Sequence, residues 1–299
     1  MKSFLTNKIE DQLMFEPTFQ QRKLVESLSE FLLSSPDKIF LLKGYAGTGK
    51  TSVISALIRA LHELKQSVVL LAPTGRAAKV LSSYSGYPAY TIHKKIYRQH
   101  VVGDEMSQFS LGINMHKHTL FIVDEASMIT TSGERNFGTG DLLGDLLSFV
   151  YGSEGCRLLL IGDVAQLPPV GQMYSPALDN SYLGGYGFHV KDFLLTEVFR
   201  QADDSGILKN ATYLRTLLTD EQVGAFPVFE TNFPDIVRVS GEDLIEEISS
   251  AYSRDGMDET IIVSRSNKRA NIFNNGVRNR ILYREEELST GDLLMVVRN

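Results

Sequence analysis

The chain has 299 residues, 43% of them hydrophobic and 22% charged, an ordinary globular balance at a length beyond one typical core, so two domains are expected. No apolar run approaches the roughly 18 residues of a membrane span, and the amino terminus lacks the apolar segment and cleavage site of a secretory signal, which points to the cytoplasm. The formal net charge of −6 excludes a uniformly basic nucleic-acid binder, and the single cysteine, Cys156, makes neither an intramolecular disulfide nor a metal cluster by itself.

In chain order, the apolar run Ile39 to Leu42 predicts a buried strand, and Thr51 to Leu64 predicts a helix. Between them Gly44-Tyr45-Ala46-Gly47-Thr48-Gly49-Lys50-Thr51 fits G-x-x-x-x-G-K-[ST], the spacing of a phosphate-binding loop. Its glycines let backbone N–H groups curl around phosphates, the helix start adds a positive dipole end, Lys50 reaches the β- and γ-phosphates, and Thr51 coordinates magnesium. A second strand, Val68 to Ala72, precedes a helix at Gly75 to Ser82. Another helix begins near Thr91, where Lys94, Lys95 and Arg98 form a basic island with no acid between Thr91 and His100. A solvated helix face explains such an island as well as a binding surface does.

Tyr97 to His118 is polar and alternating, with Gly103-Asp104 as a turn signal, which predicts a hairpin insertion. Leu120 to Val123 then predicts a strand that ends in Asp124-Glu125. Beside a phosphate loop these two acids have separate tasks, with Asp124 holding magnesium and Glu125 acting as general base. Taken alone, two acids after a strand are also an ordinary turn or cap. Thr130 to Gly140, with three glycines, reads as a loop, and Asp141 to Tyr151 as a helix. The strand at Leu158 to Ile161 leads into Gly162-Asp163-Val164-Ala165-Gln166-Leu167-Pro168-Pro169-Val170, where a polar, uncharged Gln166 is a candidate to sense a γ-phosphate, although the segment by itself reads equally as a turn. Cys156, at the edge of that strand, reads as structural.

Gly171 to Gly187, rich in Gly, Tyr, Asn and Ser, reads as a domain boundary, and Leu194 to Val198 and Ile261 to Ser264 as strands of a second α/β unit. The expected domains are residues 1–190, holding the hairpin near 97–118, and 191–299. Val263 to Arg284 carries six basic residues and no acid. The apolar run from Gly291 to Asn299 reads as an interrupted strand, which gives the expectation of a longer parent chain. Short buried strands alternating with helices predict an α/β fold with a parallel sheet covered on both faces.

The phosphate loop, Asp124-Glu125-Ala126-Ser127, Gly162 to Val170 and Ala72-Pro73-Thr74-Gly75-Arg76-Ala77-Ala78-Lys79 together resemble superfamily 1 helicases, specifically the RecD-like 5′→3′ branch. Thr91-Ile92-His93 is similar to that family's next DNA-contacting motif, Thr18-Phe19-Gln20-Gln21 to its adenine-reading motif, and Leu195 to Gln201 to its arginine-finger motif. The resemblance implies a RecA-like phosphate-loop domain with a partial second RecA-like domain, using ATP and Mg2+ on single-stranded and duplex DNA. Its implied site residues are Gln21 as adenine reader, Arg200 as a finger from the second domain, and Pro73, Thr74, His93 and Lys94 as DNA contacts, with the hairpin as the pin that splits the duplex. The implied activity is an ATP-dependent helicase or translocase, shortened in this chain, with protein partners in DNA repair or replication left unspecified. The rival is a nucleotide-gated DNA-binding or assembly subunit of a larger nuclease complex that does not hydrolyse significantly. Glu125 discriminates, since a pure switch needs no base beside Asp124.

Overall fold

A computed structural model describes residues 2–102, 106–131, 138–197, 205–219 and 226–294. The chain divides into two compact units, Met1–Ala202 and Asp203–Asn299.

The first unit opens with α1 (Lys2–Asp11) and α2 (Phe19–Leu33). Thr18 caps α2 in a reciprocal capping box with Gln21, which satisfies two backbone donors at that end. There follow β1 (Ile39–Gly44), α3 (Lys50–Glu63), β2 (Val68–Ala72), α4 (Gly75–Ser85), β3 (Ala89–Thr91) and α5 (Ile92–Ile96). The hairpin β4 (Tyr97–Val102) and β5 (Met106–Leu111) is antiparallel, as its alternating sequence predicts. Its expected turn, Gly103-Asp104, lies outside the described residues. The unit continues with β6 (Leu120–Val123), α6 (Leu142–Tyr151), β7 (Arg157–Gly162), α7 (Asn180–Gly185) and β8 (Val190–Leu195).

Six strands form one sheet in the order β3-β2-β6-β7-β1-β8, with every pair parallel. Successive strand residues face opposite sides, and both sides are covered. Phe40, Leu42, Leu159 and Ile161 pack under α1, α2 and α3. Ile39, Leu41, Leu158 and Leu160 pack on the other face with α5, α6 and the segment around Leu178. A sheet buried on both faces needs continuous apolar strands, which is why β1, β2, β6 and β7 stand out in the sequence. Cys156 is buried next to β7, as the structural reading expects.

Two expectations are corrected here. The run at Leu194 does not open the second unit, because Val190–Leu195 pairs along the whole of β1 as the edge strand of the first sheet. Gly171 to Gly187 is not the boundary between the units, because Ala177, Leu178 and Leu183 are buried in the core of the first unit around a 3-10 turn and α7. Glycine and polar content marked a turn-rich segment there, while three apolar residues decided its packing.

The described residues of the second unit form α8 (Gly206–Thr219), α9 (Leu244–Arg254) and α10 (Asn267–Arg280). No strand occurs among them. Ile261 and Val263, expected in a strand, are exposed and lack a partner strand there; β propensity becomes structure only through pairing.

Candidate nucleotide site and adjoining groove

Three adjacent strands deliver the site. β1 ends at Gly44 and runs into the phosphate loop; β7, its neighbour, ends at Gly162; β6 lies beyond β7 and ends before Asp124. Their carboxyl ends therefore bring three loops to one edge of the sheet, the usual position of a ligand in an open parallel sheet. The resulting cavity, about 360 Å3, is lined by Tyr45, Ala46, Gly47, Gly49, Lys50, Thr51, Asp124, Glu125, Gly162, Asp163 and Gln166. Eight of these are site residues expected from sequence, drawn from positions far apart in the chain.

Gly47 and Gly49 adopt φ of 78° and 82°, the left-handed region that a side chain disfavours. The Lys50 ammonium donates to the carbonyls of Gly44 and Tyr45 at 2.7 and 2.8 Å. Thr48 lies behind the cavity wall, fully buried, and its hydroxyl donates to the Tyr45 carbonyl at 2.8 Å. Gly44 likewise shapes the loop rather than lining the cavity. At Gly162 an added Cβ would stand 2.8 Å from Leu178 Cδ1 and 3.2 Å from the Ser127 amide nitrogen, so a larger residue fits only if Leu178 and the Ser127 backbone shift.

Gln21, which the resemblance makes an adenine reader, is 1% exposed. Its side-chain oxygen accepts from the Thr18 amide at 3.0 Å and its amide nitrogen donates to the Thr48 carbonyl at 3.0 Å. In this geometry Gln21 fastens the rim of the phosphate loop to the start of α2.

At the end of β6, Asp124 Oδ1 accepts from the Glu125 amide at 2.9 Å and Oδ2 from the Tyr84 hydroxyl at 2.6 Å. Glu125 sits at φ 54°, a left-handed value that turns its side chain away from the strand direction at some cost in strain. Burial, then the neighbouring Asp124 charge, push the Glu125 carboxyl above the ordinary carboxylate range, opposed by a hydrogen bond to Gln166 and by the charge of Lys50. Gln166 is fixed by Ser127, whose hydroxyl donates to its side-chain oxygen at 3.0 Å. Asp163, buried in the same wall, accepts from the Ala165 amide at 2.9 Å. The sequence placed Asp163 in the right segment without giving it a role. Tyr84 was missed altogether; an aromatic in a helix carries no signal for a carboxylate partner.

The donor set fits a magnesium-bound nucleotide. Among the described residues no group of three or more His, Cys, Asp or Glu side chains is arranged to hold a metal alone, whereas Mg2+ is commonly held by one carboxylate, a hydroxyl and the phosphates it accompanies. Thr51 and Asp124 supply that hydroxyl and carboxylate in the same cavity as the loop amides.

A second concavity, about 530 Å3, lies between α4 and the β3–α5 segment and is lined by Ala78, Lys79, Ser82, Tyr90, Thr91 and Lys94, among others. Of the expected DNA contacts, Lys94 lines it and is exposed. Thr74 stands at the head of α4, where its hydroxyl oxygen accepts from the Ala77 amide at 3.2 Å, and Pro73 directly precedes it. His93 turns inward instead. Its ring lies 5.7 Å from that of Tyr97, and burial holds it toward the neutral form. Lys79 and Tyr90 are groove residues that the sequence analysis did not single out. Arg200 lies outside the described residues.

Fold and site define a phosphate-loop nucleotide-binding protein of the α/β class. Residues 18–226 match the AAA domain family, and the chain belongs to it. The RecD-like resemblance is borne out by its relatives. The chain is 28% identical over 263 residues to the ATP-dependent DNA helicase dda of Enterobacteria phage T4, covering 85% of this chain and 55% of that protein. It is 33% identical over 176 residues to the ATP-dependent RecD2 DNA helicase of Deinococcus radiodurans, covering 58% and 21%. A crystal structure of Pif1 helicase from Candida albicans aligns with a TM-score of 0.49 at 19% identity, covering 90% of this chain and 55% of that one. The chain thus spans about half of the phage protein's length and about a fifth of the bacterial one's.

Proposed function

We propose that this chain is the nucleotide-binding part of an ATP- and Mg2+-dependent DNA helicase or translocase that moves 5′→3′ on single-stranded DNA. One observation carries the reading: Lys50, Thr51, Asp124, Glu125 and Gln166 line a single cavity, and the helix that lines the neighbouring basic groove also reaches that cavity's acidic wall. The direction of travel rests on the RecD-like resemblance.

Bound Mg2+ would draw charge from the β- and γ-phosphates. Thr51 and Asp124 hold it, the loop amides and Lys50 clamp the phosphates, and Lys50 leaves the Gly44 and Tyr45 carbonyls to do so. Glu125, ionised, takes the proton of the attacking water. Gln166, held by Ser127, donates toward the γ-phosphate. Gln21 supports the loop from behind, so base reading by this residue requires its amide to leave Thr48. Arg200 is assigned the transition-state finger on the strength of the motif alone, a role commonly worth about 10³ to 10⁵ in rate. On DNA the grip falls on phosphates and stacked bases, since readout of base edges would stall a motor.

A switch that binds nucleotide without turnover is disfavoured by Glu125, which is strained and partly desolvated beside Asp124. The deciding experiment is ATP hydrolysis with and without single-stranded oligonucleotide, for the parent and for Glu125→Gln. Turnover that DNA accelerates and Glu125→Gln abolishes supports the motor; nucleotide binding with equal, negligible turnover in both proteins supports the switch.

A further inference from the structure

The hydrogen bond between Tyr84 and Asp124 joins two sites that the sequence treats separately. α4, capped by Thr74 at the head of the groove, begins at Gly75 and runs 11 residues to Ser85, about 16 Å at the rise of a helix. Ala78, Lys79, Ser82 and Ser83 line the groove. Tyr84 turns the other way: at about 100° per residue it lies nearly opposite Ser82. There it shares a cavity of about 300 Å3 with Thr51, Ser52, Ser55 and Arg59 of α3.

Tyr84 is held at both ends. Its main-chain carbonyl accepts from the Ser55 hydroxyl at 2.9 Å, and Ser55 Oγ accepts from Arg59 Nη1 at 2.7 Å, so the last turn of α4 is tied to the helix that starts with Lys50 and Thr51. Its phenol donates to Asp124 Oδ2 at 2.6 Å, within the short range of a charge-assisted bond, while the Glu125 amide holds Oδ1. A phenylalanine would fill the same space. It would leave Oδ2 without the hydroxyl donor and the carboxylate held through Oδ1 by the Glu125 amide.

We propose that Tyr84 is a positioning residue that sets the orientation of Asp124 for the metal-bound nucleotide and couples it to occupancy of the α4 groove by single-stranded DNA. This rests on the reading of the two sites given above. When a strand in the groove displaces α4, the Tyr84 hydroxyl moves with it, and Asp124 moves or loses a partner. By linkage, nucleotide in the cavity changes affinity in the groove by the same factor.

The test uses Tyr84→Phe and a fluorescent ATP analogue, titrated in EDTA and in Mg2+, with and without oligo-dT. In EDTA, Tyr84→Phe binds the analogue as the parent does. The gain in affinity that Mg2+ confers falls roughly tenfold, the size of one lost hydrogen bond to a charged group, and the effect of oligo-dT on analogue affinity shrinks toward none. Ser55→Ala, which frees the Tyr84 main chain but leaves its phenol, keeps the Mg2+ gain and loses part of the oligo-dT effect; it also serves if Tyr84→Phe does not fold by circular dichroism. An unchanged Mg2+ gain in folded Tyr84→Phe overturns the positioning role, and an unchanged oligo-dT effect in both variants overturns the coupling. A parent protein that binds no analogue removes the nucleotide reading itself, a result distinct from either.

Discussion

Lys50 and Glu125 stand in one cavity but fail differently when changed. In the proposed site Lys50 is the cation that clamps the phosphates, so nucleotide binding by Lys50→Ala is expected to fall below detection in an equilibrium titration. Glu125→Gln keeps the shape and removes only the base. Binding should persist while phosphate release slows by about 10² to 10⁴, the usual range for a positioned base; turnover at the parent rate would cancel that assignment. At this scale the phosphate loop was legible from its spacing, and the acidic pair only from its place after a strand in a chain that carries such a loop. The partners of those residues were not. Tyr84, 40 positions from Asp124, meets it only because α4 folds back across the sheet, and Gln21 reaches the Thr48 carbonyl across 27 positions. No local pattern encodes either contact.

Asp145, on α6, shows what an element needs in order to present the hairpin. The side chain is 4% exposed, accepts from the Tyr97 hydroxyl at 2.7 Å, and takes the Thr139 amide and hydroxyl at 3.0 Å each. It thereby anchors the base of β4 and the end of the glycine-rich loop to one helix. Asp145→Ala leaves the buried Tyr97 hydroxyl without that acceptor and should cost about 1 to 3 kcal/mol in chemical denaturation, with the smaller loss in Asp145→Asn, which keeps one acceptor. Equal losses in the two variants would mean that packing, not hydrogen bonding, dominates there. Elements were legible where burial is two-sided, as in β1 and β7, because continuous apolar runs have no other stable use. They were less so where burial falls on a few residues. Leu178 and Leu183 hold a turn-rich segment in the core that reads as a domain boundary, and β8 reads as the start of a new unit because its pairing with β1 spans some 150 positions, a separation no sequence period reports.

Over the whole molecule, a net charge of −6 does not show which basic residues are already paired with acids. In the second unit Arg278 and Arg284 both bind Asp292, the latter at 2.7 Å. Arg278, then the Ser289 amide, hold the Asp292 carboxyl down at about 2, below the roughly 3.9 of a free aspartate. A lowered folded value means that this stabilisation is complete above about pH 4 and is lost as pH falls through 2. Limited proteolysis across that window should open the segment after α10, and Asp292→Asn should be equally susceptible at neutral pH. The run of six basic residues is thus in part internal pairing rather than nucleic-acid surface.

The groove of the first unit then carries the prediction about DNA. Lys79 and Lys94 line it and are exposed, and each phosphate that a lysine neutralises on a single strand releases counterions with a log–log salt slope of about −0.7. Binding to equal-length oligonucleotides should therefore weaken steeply with salt and vary little with sequence. Lys79→Ala and Lys94→Ala should each reduce affinity across all sequences alike and flatten the slope by about 0.7, as phosphate contacts do and base contacts do not. Affinity that is flat between low and physiological salt would deny the groove a backbone grip. A loss confined to one sequence on Lys94→Ala would make Lys94 a reader of bases, which a motor moving along arbitrary DNA has no use for.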